Sequence, residues 1–173
     1  MLITEALEFL SGVELNAREP SIWADLGCGD GFFTYVLAGM LPSGSKIYAL
    51  DKQFQSLKKP ADNNIQVVFQ KADFITDDLQ LPPLNGVLLA NSLHYVSDKN
   101  SFVEKISGFL KADGMFIIIE YDTSRANPWI PFPVDFKNLS KLFADRGYNN
   151  IQKIGERKSI YSQAKLYACT IRH

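Results

Sequence analysis

The sequence predicts an α/β fold, with a doubly wound, mostly parallel seven-stranded sheet, an antiparallel edge strand and helices on both faces. Two observations lead to this prediction. Short apolar runs of strand length alternate with segments in which apolar residues recur at helical spacing, a pattern typical of successive βαβ units. Near the C-terminus two strand-like segments, Ile151–Glu156 and Tyr161–Ile171, follow one another closely, which favours antiparallel pairing.

The first half of the chain alternates amphipathic and buried segments. Phe33, Val36 and Leu37 recur at helical spacing, and Pro42 with Gly44 ends that helix. The strands are short, apolar and rich in β-branched or aromatic residues. In order, the predicted elements are a helix over Leu2–Leu10, a strand over Ile22–Asp25, a helix from about Gly31, a strand over Lys46–Asp51, a short helix with Phe54 and Leu57 that ends before Pro60, and a strand over Ile65–Phe69.

The second half continues the alternation after the break at Pro82-Pro83. Ser101 and Glu104 have the Ser-x-x-Glu spacing of a capping box, which predicts the start of a helix. Asp113-Gly114 predicts a turn, and Gly147 predicts a helix end. The remaining predicted elements are strands over Gly86–Ala90 and Met115–Glu120, a loop over Tyr121–Pro133, a helix with Leu139, Leu142 and Phe143, and the two closing strands.

The composition suits one globular domain. The chain has 173 residues, of which 46% are hydrophobic, and we expect a single domain over residues 1–173, with residues 1–20 as a helical cap and 121–133 as a substrate loop. The net charge of −1 does not favour nucleic acid or an anionic membrane as a partner. The N-terminus lacks the basic region of a signal peptide and the apolar runs are too short to span a bilayer, so we expect a cytoplasmic protein. Neither Cys28 nor Cys169 has metal-ligand spacing, and no metal site is expected.

The first predicted strand ends in a glycine-rich turn, Gly27–Gly31, with the sequence Gly-Cys-Gly-Asp-Gly. Such a turn lets a ligand approach the backbone and presents free N–H groups at the start of a helix. A dinucleotide site of the form Gly-x-Gly-x-x-Gly would need its third glycine where Phe32 stands. No lysine or arginine in the turn offsets the carboxylates of Asp25 and Asp30, and no Gly-Lys-Ser/Thr follows, so the turn favours neither a pyrophosphate nor a P-loop site.

Acidic and polar residues follow the predicted strands, where the ligands of doubly wound sheets bind. Asp51 ends the second strand, and its carboxylate offers two acceptor oxygens for the hydroxyls of a ribose. After the third strand, Asp73 could accept from an exocyclic amine while Phe74 lies against the flat face of a base. This pattern favours a ligand with hydroxyls, an amine and a positive centre. Asp25, Asp51 and Asp73 could each instead cap a loop, a helix or a turn.

Taken together, these segments resemble the motifs of class I S-adenosylmethionine-dependent methyltransferases, whose fold is Rossmann-like. The first motif of that family has the form Asp/Glu-x-Gly-x-Gly-x-Gly, and Asp25–Gly31 matches it in full. Val87–Tyr95 is similar to the fourth motif of the branch that contains the ubiquinone and menaquinone methyltransferases. The other similar segments are Ile47–Asp51 for the second motif, Lys71–Phe74 for the third and Leu110–Gly114 for a further family feature.

The resemblance implies a role for each residue of a cofactor site. The implied contacts with S-adenosylmethionine are Gly27, Cys28, Gly29 and Gly31 with the methionine part, Asp25 with its amino group, Asn91 with the methionine end, Asp51 with the ribose hydroxyls, and Asp73 and Phe74 with the adenine. The family often has an apolar residue after the ribose-binding acid. This chain has Lys52 there, whose aliphatic stem could cover the adenine ring.

The resemblance also implies direct transfer of a methyl group from a sulfonium to the acceptor, with the protein mainly aligning the two. His94 follows the fourth strand and is the candidate general base, because histidine is the usual base near neutral pH. It could instead only line the cofactor, as aromatic residues at this place often do in this branch. Three further residues are candidate substrate contacts. Tyr95 is interpreted as pocket wall, Tyr121 could position the substrate or simply end the fifth strand, and Trp129 could form a lid, a dimer contact or plain packing.

The methyl acceptor is expected to be a small molecule. The Asn/Asp-Pro-Pro-Tyr motif of enzymes that methylate exocyclic amines of DNA bases is absent after the fourth strand, so DNA is not expected. Only residues 1–20 and 121–133 are available to cover the acceptor. A second subunit could therefore complete the pocket, and a homodimer is a further prediction. Two other functions stay open: a nicotinamide-dependent oxidoreductase, and a non-catalytic module that binds S-adenosylmethionine or a partner.

Overall fold

A computed structural model describes residues 1–16, 18–57, 64–158 and 164–173 of the chain. Helices and strands alternate along most of its length, as the sequence predicts. The helices are α1 (Ile3–Phe9), α2 (Phe32–Met40), α3 (Lys99–Ser107) and α4 (Phe136–Ala144), with a 3₁₀ turn over Leu93–Tyr95. The strands are β1 (Ile22–Leu26), β2 (Lys46–Asp51), β3 (Gln66–Lys71), β4 (Leu84–Ala90), β5 (Leu110–Tyr121), β6 (Asn150–Lys158) and β7 (Lys165–Arg172).

All seven strands form one sheet in the order β3-β2-β1-β4-β5-β7-β6. The strands from β1 to β5 pair in parallel, whereas β7 is antiparallel to both of its neighbours, β5 and β6. The predicted mostly parallel sheet with antiparallel pairing at one edge is thus confirmed. The chain moves outward from β1 to β3 and then returns to place β4 on the other side of β1. The carboxyl ends of β1 and β4 therefore flank the switch point, where ligands bind in such sheets.

A hydrophobic core lies on each face of the sheet, as the prediction of helices on both faces requires. On one face, Phe102 of α3 and Phe143 of α4 pack against strand residues of the same cluster. On the other face, Ala6 of α1 and Leu37 of α2 pack against a second set that includes Trp23. Alternate residues of a strand point to opposite faces, so one buried strand supplies both cores. Among the described residues, no helix is long and apolar enough to cross a membrane.

The capping box predicted at Ser101 is wrong, because the helix and its N-cap begin three residues earlier. Asp98 is the N-cap of α3, and its carboxylate accepts from the backbone N–H of Ser101 at 3.1 Å and from the Ser101 hydroxyl at 2.6 Å. Ser101 therefore occupies the third position of the helix. An aspartate is at least as good an N-cap as a serine, and its carboxylate satisfies a free N–H in the first turn of the helix.

The short helix predicted around Phe54 and Leu57 is not found over residues 52–57, which carry no regular structure. The Asp51 carboxylate accepts from the backbone N–H of Gln53 at 2.8 Å, which forms a local turn where the helix was expected. Phe54 is 74% exposed and meets Phe69 edge to face. The predicted end of this helix before Pro60 lies outside the described residues, and so does the predicted start of the last strand at Tyr161.

Strand β5 begins at Leu110, earlier than predicted, and the turn expected at Asp113-Gly114 is an irregularity within it. Leu84 pairs with Leu110 and Gly86 with Met115, so the extra residues on β5 are accommodated as a bulge. The predicted end of α4 is confirmed. Gly147 has a φ of 84°, its N–H donates to Ala144, and the next N–H donates to Phe143, which is a Schellman motif.

Candidate active site

The glycine turn after β1 is held against the end of β2. The backbone N–H groups of Gly27 and Cys28 both donate to the carbonyl of Leu50, at 2.8 and 2.9 Å. Gly27, Gly29 and Gly31 have φ angles of 82°, 51° and 84°, in the left-handed region that glycine adopts readily. The turn thus follows a path that this spacing of glycines permits, and α2 begins directly after it.

Gly27 and Gly29 differ in their surroundings. A Cβ atom at Gly27 would stand 2.7 Å from Cβ of Ser92 and 3.1 Å from a ring carbon of Phe74. A Cβ atom at Gly29 would meet no atom within 4 Å. Gly27 therefore serves the packing of the turn, whereas Gly29 faces open space that a ligand can occupy.

One carboxylate oxygen of Asp51 binds the glycine turn, and the other binds the backbone just after β2. Oδ2 accepts from the backbone N–H of Gly29 at 3.0 Å, and Oδ1 accepts from that of Gln53 at 2.8 Å. Each oxygen has two lone pairs, so both retain capacity for a hydroxyl. The capping role and the ribose-binding role are thus compatible for this residue.

Asp25 is buried at the end of β1, where it is only 1% exposed. The hydroxyl of Thr34 donates to Oδ2 at 2.6 Å, while Oδ1 has no hydrogen-bond partner among the described residues. Burial raises the pKa of Asp25, the Thr34 hydrogen bond lowers it and the charge of Asp51 raises it, and together these effects bring it to about 7. A cationic amino group beside Oδ1 would supply both the missing donor and the compensating charge.

Other polar atoms near the turn are also buried without a partner in the described part of the chain. They are Oδ1 of Asn91, Oγ of Ser92 and the hydroxyl of Tyr35. Buried polar groups are normally hydrogen-bonded, so such a group needs an explanation. Together with Asp25, these atoms fit a ligand rich in hydroxyl and amino groups. Ser92 and Tyr35 are not among the predicted site residues; the polar residues that follow β4 are the signal that could have found Ser92.

Asp73 and Phe74 lie after β3, as predicted for an adenine pocket, and both have structural partners. Oδ1 of Asp73 accepts from the N–H of Ile75 at 3.0 Å, so the carboxylate also caps a turn. Phe74 is buried, contacts Phe102 edge to face and approaches the glycine turn. Lys52 is exposed beside β2.

The thiol of Cys28 lies inside the glycine turn and donates to the carbonyl of Gly29 at 3.6 Å. Burial raises its pKa to about 12, and the charges of Asp25 and Asp51 raise it too. The thiol is therefore neutral near physiological pH and is not an activated nucleophile.

A cavity of about 460 Å³, which we call the acceptor cavity, opens beside the ends of β4 and β5. It brings together all four residues predicted for catalysis and substrate contact, which come from three separate segments of the chain. The lining residues are Asn91, His94, Tyr95, Tyr121, Asn127, Trp129 and Ile130. Asn91 lines this cavity and immediately precedes Ser92, which contacts the glycine turn. The two parts of the site therefore adjoin.

His94 is paired with Glu120, the penultimate residue of β5. Nδ1 of His94 lies 2.8 Å from Oε2 of Glu120, and the backbone N–H of His94 donates to Oε1 at 3.1 Å. Both side chains are buried, with 3% and 1% exposed. Sequence reasoning placed Glu120 at a strand end but gave it no role. A carboxylate in an otherwise apolar strand is the signal that could have singled it out.

The chain from Asn127 to Phe132, which we call the acceptor loop, forms one wall of the cavity. Oδ1 of Asn127 accepts from the N–H groups of Trp129 and Ile130, at 2.9 and 3.0 Å. The N–H of Phe132 donates to the carbonyl of His94 at 3.0 Å. The Lys99 ammonium donates to the carbonyl of Phe132 at 2.6 Å and to that of Val96 at 2.8 Å. The loop is thus tied to the segment that carries His94.

Three comparisons with known proteins bear on this site. A family model described as a methyltransferase domain matches residues 22–165, which includes β1 to β6. A search of curated proteins finds no match. Many solved structures share the fold.

Three of the similar solved structures illustrate the range of that fold. One is the 1,6-didemethyltoxoflavin-N1-methyltransferase of Burkholderia thailandensis, with S-adenosylhomocysteine bound: 17% identity, TM-score 0.65, covering 98% of this chain and 77% of that one. A SAM-dependent methyltransferase of Aquifex aeolicus has 16% identity and a TM-score of 0.64, and the match covers 99% of this chain and 89% of that one. Magnesium protoporphyrin IX methyltransferase of Synechocystis PCC 6803, with SAM bound, has 15% identity and a TM-score of 0.65, and the match covers 99% of this chain and 78% of that one.

The family match, the sheet order and the glycine turn at the switch point agree with one another. The family model covers most of the chain, and its matched region contains the glycine turn, Asp51 and the acceptor cavity. This chain belongs to the methyltransferase-domain family.

Proposed function

We propose that the protein transfers a methyl group from S-adenosylmethionine to a small molecule bound in the acceptor cavity. The observation that carries the proposal is the junction at Asn91 and Ser92. Asn91 lines the acceptor cavity, and the next residue contacts the glycine turn. Both residues have buried oxygen atoms without a hydrogen-bond partner in the described part of the chain. A donor molecule on the turn and an acceptor in the cavity would therefore meet at this point.

The residues around the turn have complementary roles in holding the donor. Gly29 leaves space for its methionine part, and Oδ1 of Asp25, which has no partner in the described part of the chain, would accept from the amino group. Asp51 has lone pairs left for the ribose hydroxyls. Asp73 and Phe74 lie after the adjacent strand and would contact the adenine.

S-adenosylmethionine supplies a methyl group made electrophilic by its sulfonium charge. The contribution of the protein is then alignment, because holding two reactants in contact removes most of the entropic barrier. His94 lies in the wall of the acceptor cavity and can accept a proton from an acceptor that must ionise. Tyr95, Tyr121 and Trp129 line the same cavity and would contact the acceptor.

The net charge of the chain, the acceptor cavity and the exposed residues near it support particular partners. The net charge of −1 and the cavity volume of about 460 Å³ support a small-molecule acceptor over DNA. We also propose a cytoplasmic location. A homodimer remains part of the proposal, since Trp129 is 77% exposed and Phe132 is 44% exposed at the rim of the cavity, where a second subunit could cover them.

The test is calorimetric binding of S-adenosylmethionine to the wild type and to Asp51→Asn. The substitution keeps one acceptor oxygen but removes the charge and the second acceptor, so we expect binding to weaken roughly 10- to 100-fold. Asp113→Asn is the matched control, because Asp113 is exposed and lies where β5 begins, at the opposite end of the sheet. Its affinity should equal that of the wild type.

Absence of binding by the folded wild type, or equal affinity in both variants, would contradict the proposed function. NAD⁺ serves as the competing ligand in the same experiment. Binding of NAD⁺ in preference to S-adenosylmethionine would favour the oxidoreductase alternative. Binding of S-adenosylmethionine with no transfer to any acceptor would favour the non-catalytic module.

A further inference from the structure

We infer that the acceptor is an uncharged, planar aromatic molecule with an ionisable hydroxyl or ring N–H, whose proton passes to His94. The inference rests on the proposed function, since it names the substrate class of the same reaction. Three features of the acceptor cavity carry it: the aromatic wall, the absence of a compensating charge and the pairing of His94 with Glu120.

The wall of the acceptor cavity contains three aromatic side chains, alongside the amides of Asn91 and Asn127. Tyr95, Tyr121 and Trp129 line it together with the aliphatic Ile130. The rings of Tyr95 and Tyr121 flank the imidazole of His94, with centroids 4.4 and 6.1 Å from it. Aromatic side chains bind flat rings by stacked or edge-to-face contact, and the cavity volume suits one small molecule.

No lysine, arginine, aspartate or glutamate is among the described residues that line the cavity. The Lys99 ammonium is engaged by the carbonyls of Val96 and Phe132. Behind His94 lies the buried carboxylate of Glu120, which would repel an anion in the cavity. An anionic acceptor would lose its hydration there without meeting a cation, which is costly in a buried site. The cavity therefore selects against acceptors with a carboxylate or phosphate.

The pairing of His94 with Glu120 fixes the tautomer of the imidazole. A carboxylate cannot donate a hydrogen bond, so Nδ1 carries the proton at 2.8 Å from Oε2. In the neutral ring Nε2 is then an acceptor, and it has no hydrogen-bond partner among the described residues. Glu120 also accepts from the backbone N–H groups of His94 and Tyr121, at 3.1 and 3.3 Å, which hold it in place. Glu120 is thus a positioning residue for a base at Nε2.

Proton transfer to His94 and methyl transfer to the acceptor together form one displacement step in which all atoms and electrons are accounted for. The hydroxyl or N–H of the acceptor gives its proton to Nε2 of His94, and its freed electron pair forms the bond to the methyl carbon. The bond between that carbon and sulfur breaks, and its electron pair stays on sulfur. The positive charge of the sulfonium is lost while one appears on His94, where the Glu120 carboxylate stabilises it.

The test uses the protein saturated with S-adenosylhomocysteine and three probes, with affinities measured by calorimetry at a mildly acidic pH at which free 4-nitrophenol is protonated and 4-nitrobenzoate is ionised. The probes are 4-nitrophenol, which is planar and ionisable, cyclohexanol, which is not planar, and 4-nitrobenzoate, which is anionic. We expect 4-nitrophenol to bind about tenfold more tightly than either control, which is the value of one good aromatic contact. Comparable or tighter binding of cyclohexanol or 4-nitrobenzoate would overturn the substrate class.

The proton acceptor is tested by the absorbance of bound 4-nitrophenol, whose ionised form absorbs at longer wavelength. Its ionisation midpoint on the wild-type protein should fall roughly one pH unit below that in free solution, because the proton moves to Nε2 of His94 and the imidazolium so formed compensates the charge of the phenolate. His94→Gln retains a donor toward Glu120 but has no base, so the downward shift should vanish. An unshifted midpoint on the wild type, or the same shift in the variant, would overturn the role of His94.

The two proposals fail in different ways. If S-adenosylhomocysteine does not bind the folded wild type, the proposed function fails and the substrate class fails with it. If S-adenosylhomocysteine binds but 4-nitrophenol does not, only the substrate class is overturned. Affinity for S-adenosylhomocysteine in His94→Gln also reports whether that variant is folded.

Discussion

The glycines in the turn after β1 differ in how much room their surroundings leave for a Cβ atom. At Gly29 a Cβ atom would meet only open space, so Gly29→Ala should cost the fold roughly 1–2 kcal/mol for the left-handed backbone. The same methyl group would stand in the volume proposed for the methionine part. We therefore expect Gly29→Ala to fold and to lose measurable binding of S-adenosylmethionine in calorimetry.

Gly147→Ala is the matched control for the Gly29 variant. Gly147 also has a positive φ and open space around its Cβ position, but it ends α4 away from the site. The control should show a similar loss of thermal stability and unchanged affinity. Equal binding by both variants would show that Gly29 does not face the ligand.

Residues whose role depends on the local backbone were predictable from the sequence. The spaced glycines and Asp51 belong to this group, because a tight turn and a strand end impose their residue types directly. Glu120 belongs to another group. Its role depends on contact with His94, which is 26 residues earlier in the chain. No local pattern encodes such a contact between the turn after β4 and the end of β5.

At the scale of elements, the acceptor loop is held by a small number of hydrogen bonds. Lys99, the first residue of α3, bridges the carbonyls of Val96 and Phe132. Burial lowers the pKa of Lys99, and the charge of Glu120 partly restores it. In Lys99→Met both carbonyls lose their donor, so we expect the loop to loosen and 4-nitrophenol to bind roughly tenfold more weakly.

Binding of S-adenosylhomocysteine to Lys99→Met should be unchanged, since Lys99 contacts only the acceptor side. Lys141→Met is the control, because Lys141 is an exposed lysine of α4 in an ion pair with Asp145. Both affinities are measured by calorimetry. A parallel loss of both ligands in Lys99→Met would indicate general unfolding instead of a loosened loop.

The sequence predicted which helices and strands exist better than it predicted where they begin and end. The periodicity that marks α3 is correct, yet two acceptable caps, Asp98 and Ser101, stand three residues apart and only packing decides between them. Around Phe54 the apolar spacing suggested a helix. The Asp51 carboxylate binds the N–H of Gln53 instead, and this local hydrogen bond competes with helix formation.

At the scale of the whole molecule, the alternation of strands and helices was enough to predict the class and the direction of the strands. Parallel strands need a crossover, and a short connection such as that between β6 and β7 allows antiparallel pairing. The order of the strands was not predicted. It depends on which strand edges are paired, and this is settled only when both hydrophobic faces are covered.

The buried carboxyl of Asp25 should make the stability of the molecule depend on pH. Its pKa is about 7 in the folded chain, against an ordinary value of 3.8. A pKa raised by folding contributes stability that is complete below the lower value and is lost as the pH rises to the upper one. Between these values the free energy of unfolding should fall by up to about 1.4 kcal/mol per pH unit.

Asp25→Asn removes the titrating group while keeping its shape. We expect this variant to gain stability over the wild type as the pH rises from about 4 to about 7, measured by urea unfolding. Asp113→Asn, at an exposed site, should follow the wild type at every pH. Identical pH dependence in all three proteins would contradict the raised pKa of Asp25.

The attachment of the acceptor loop has a consequence for how this enzyme could diversify. The donor side is built from backbone turns and strand ends, so altering it disturbs the fold. One wall of the acceptor side consists of side chains between Asn127 and Phe132, and it is anchored to the body through the Lys99 bridge and the backbone bond to His94. Exchanging this wall while keeping its anchors should redirect the enzyme to other acceptors at little cost in stability. The acceptor loop can thus be exchanged as a unit, and the range of acceptors can evolve or be engineered while the methyl-transfer reaction stays the same.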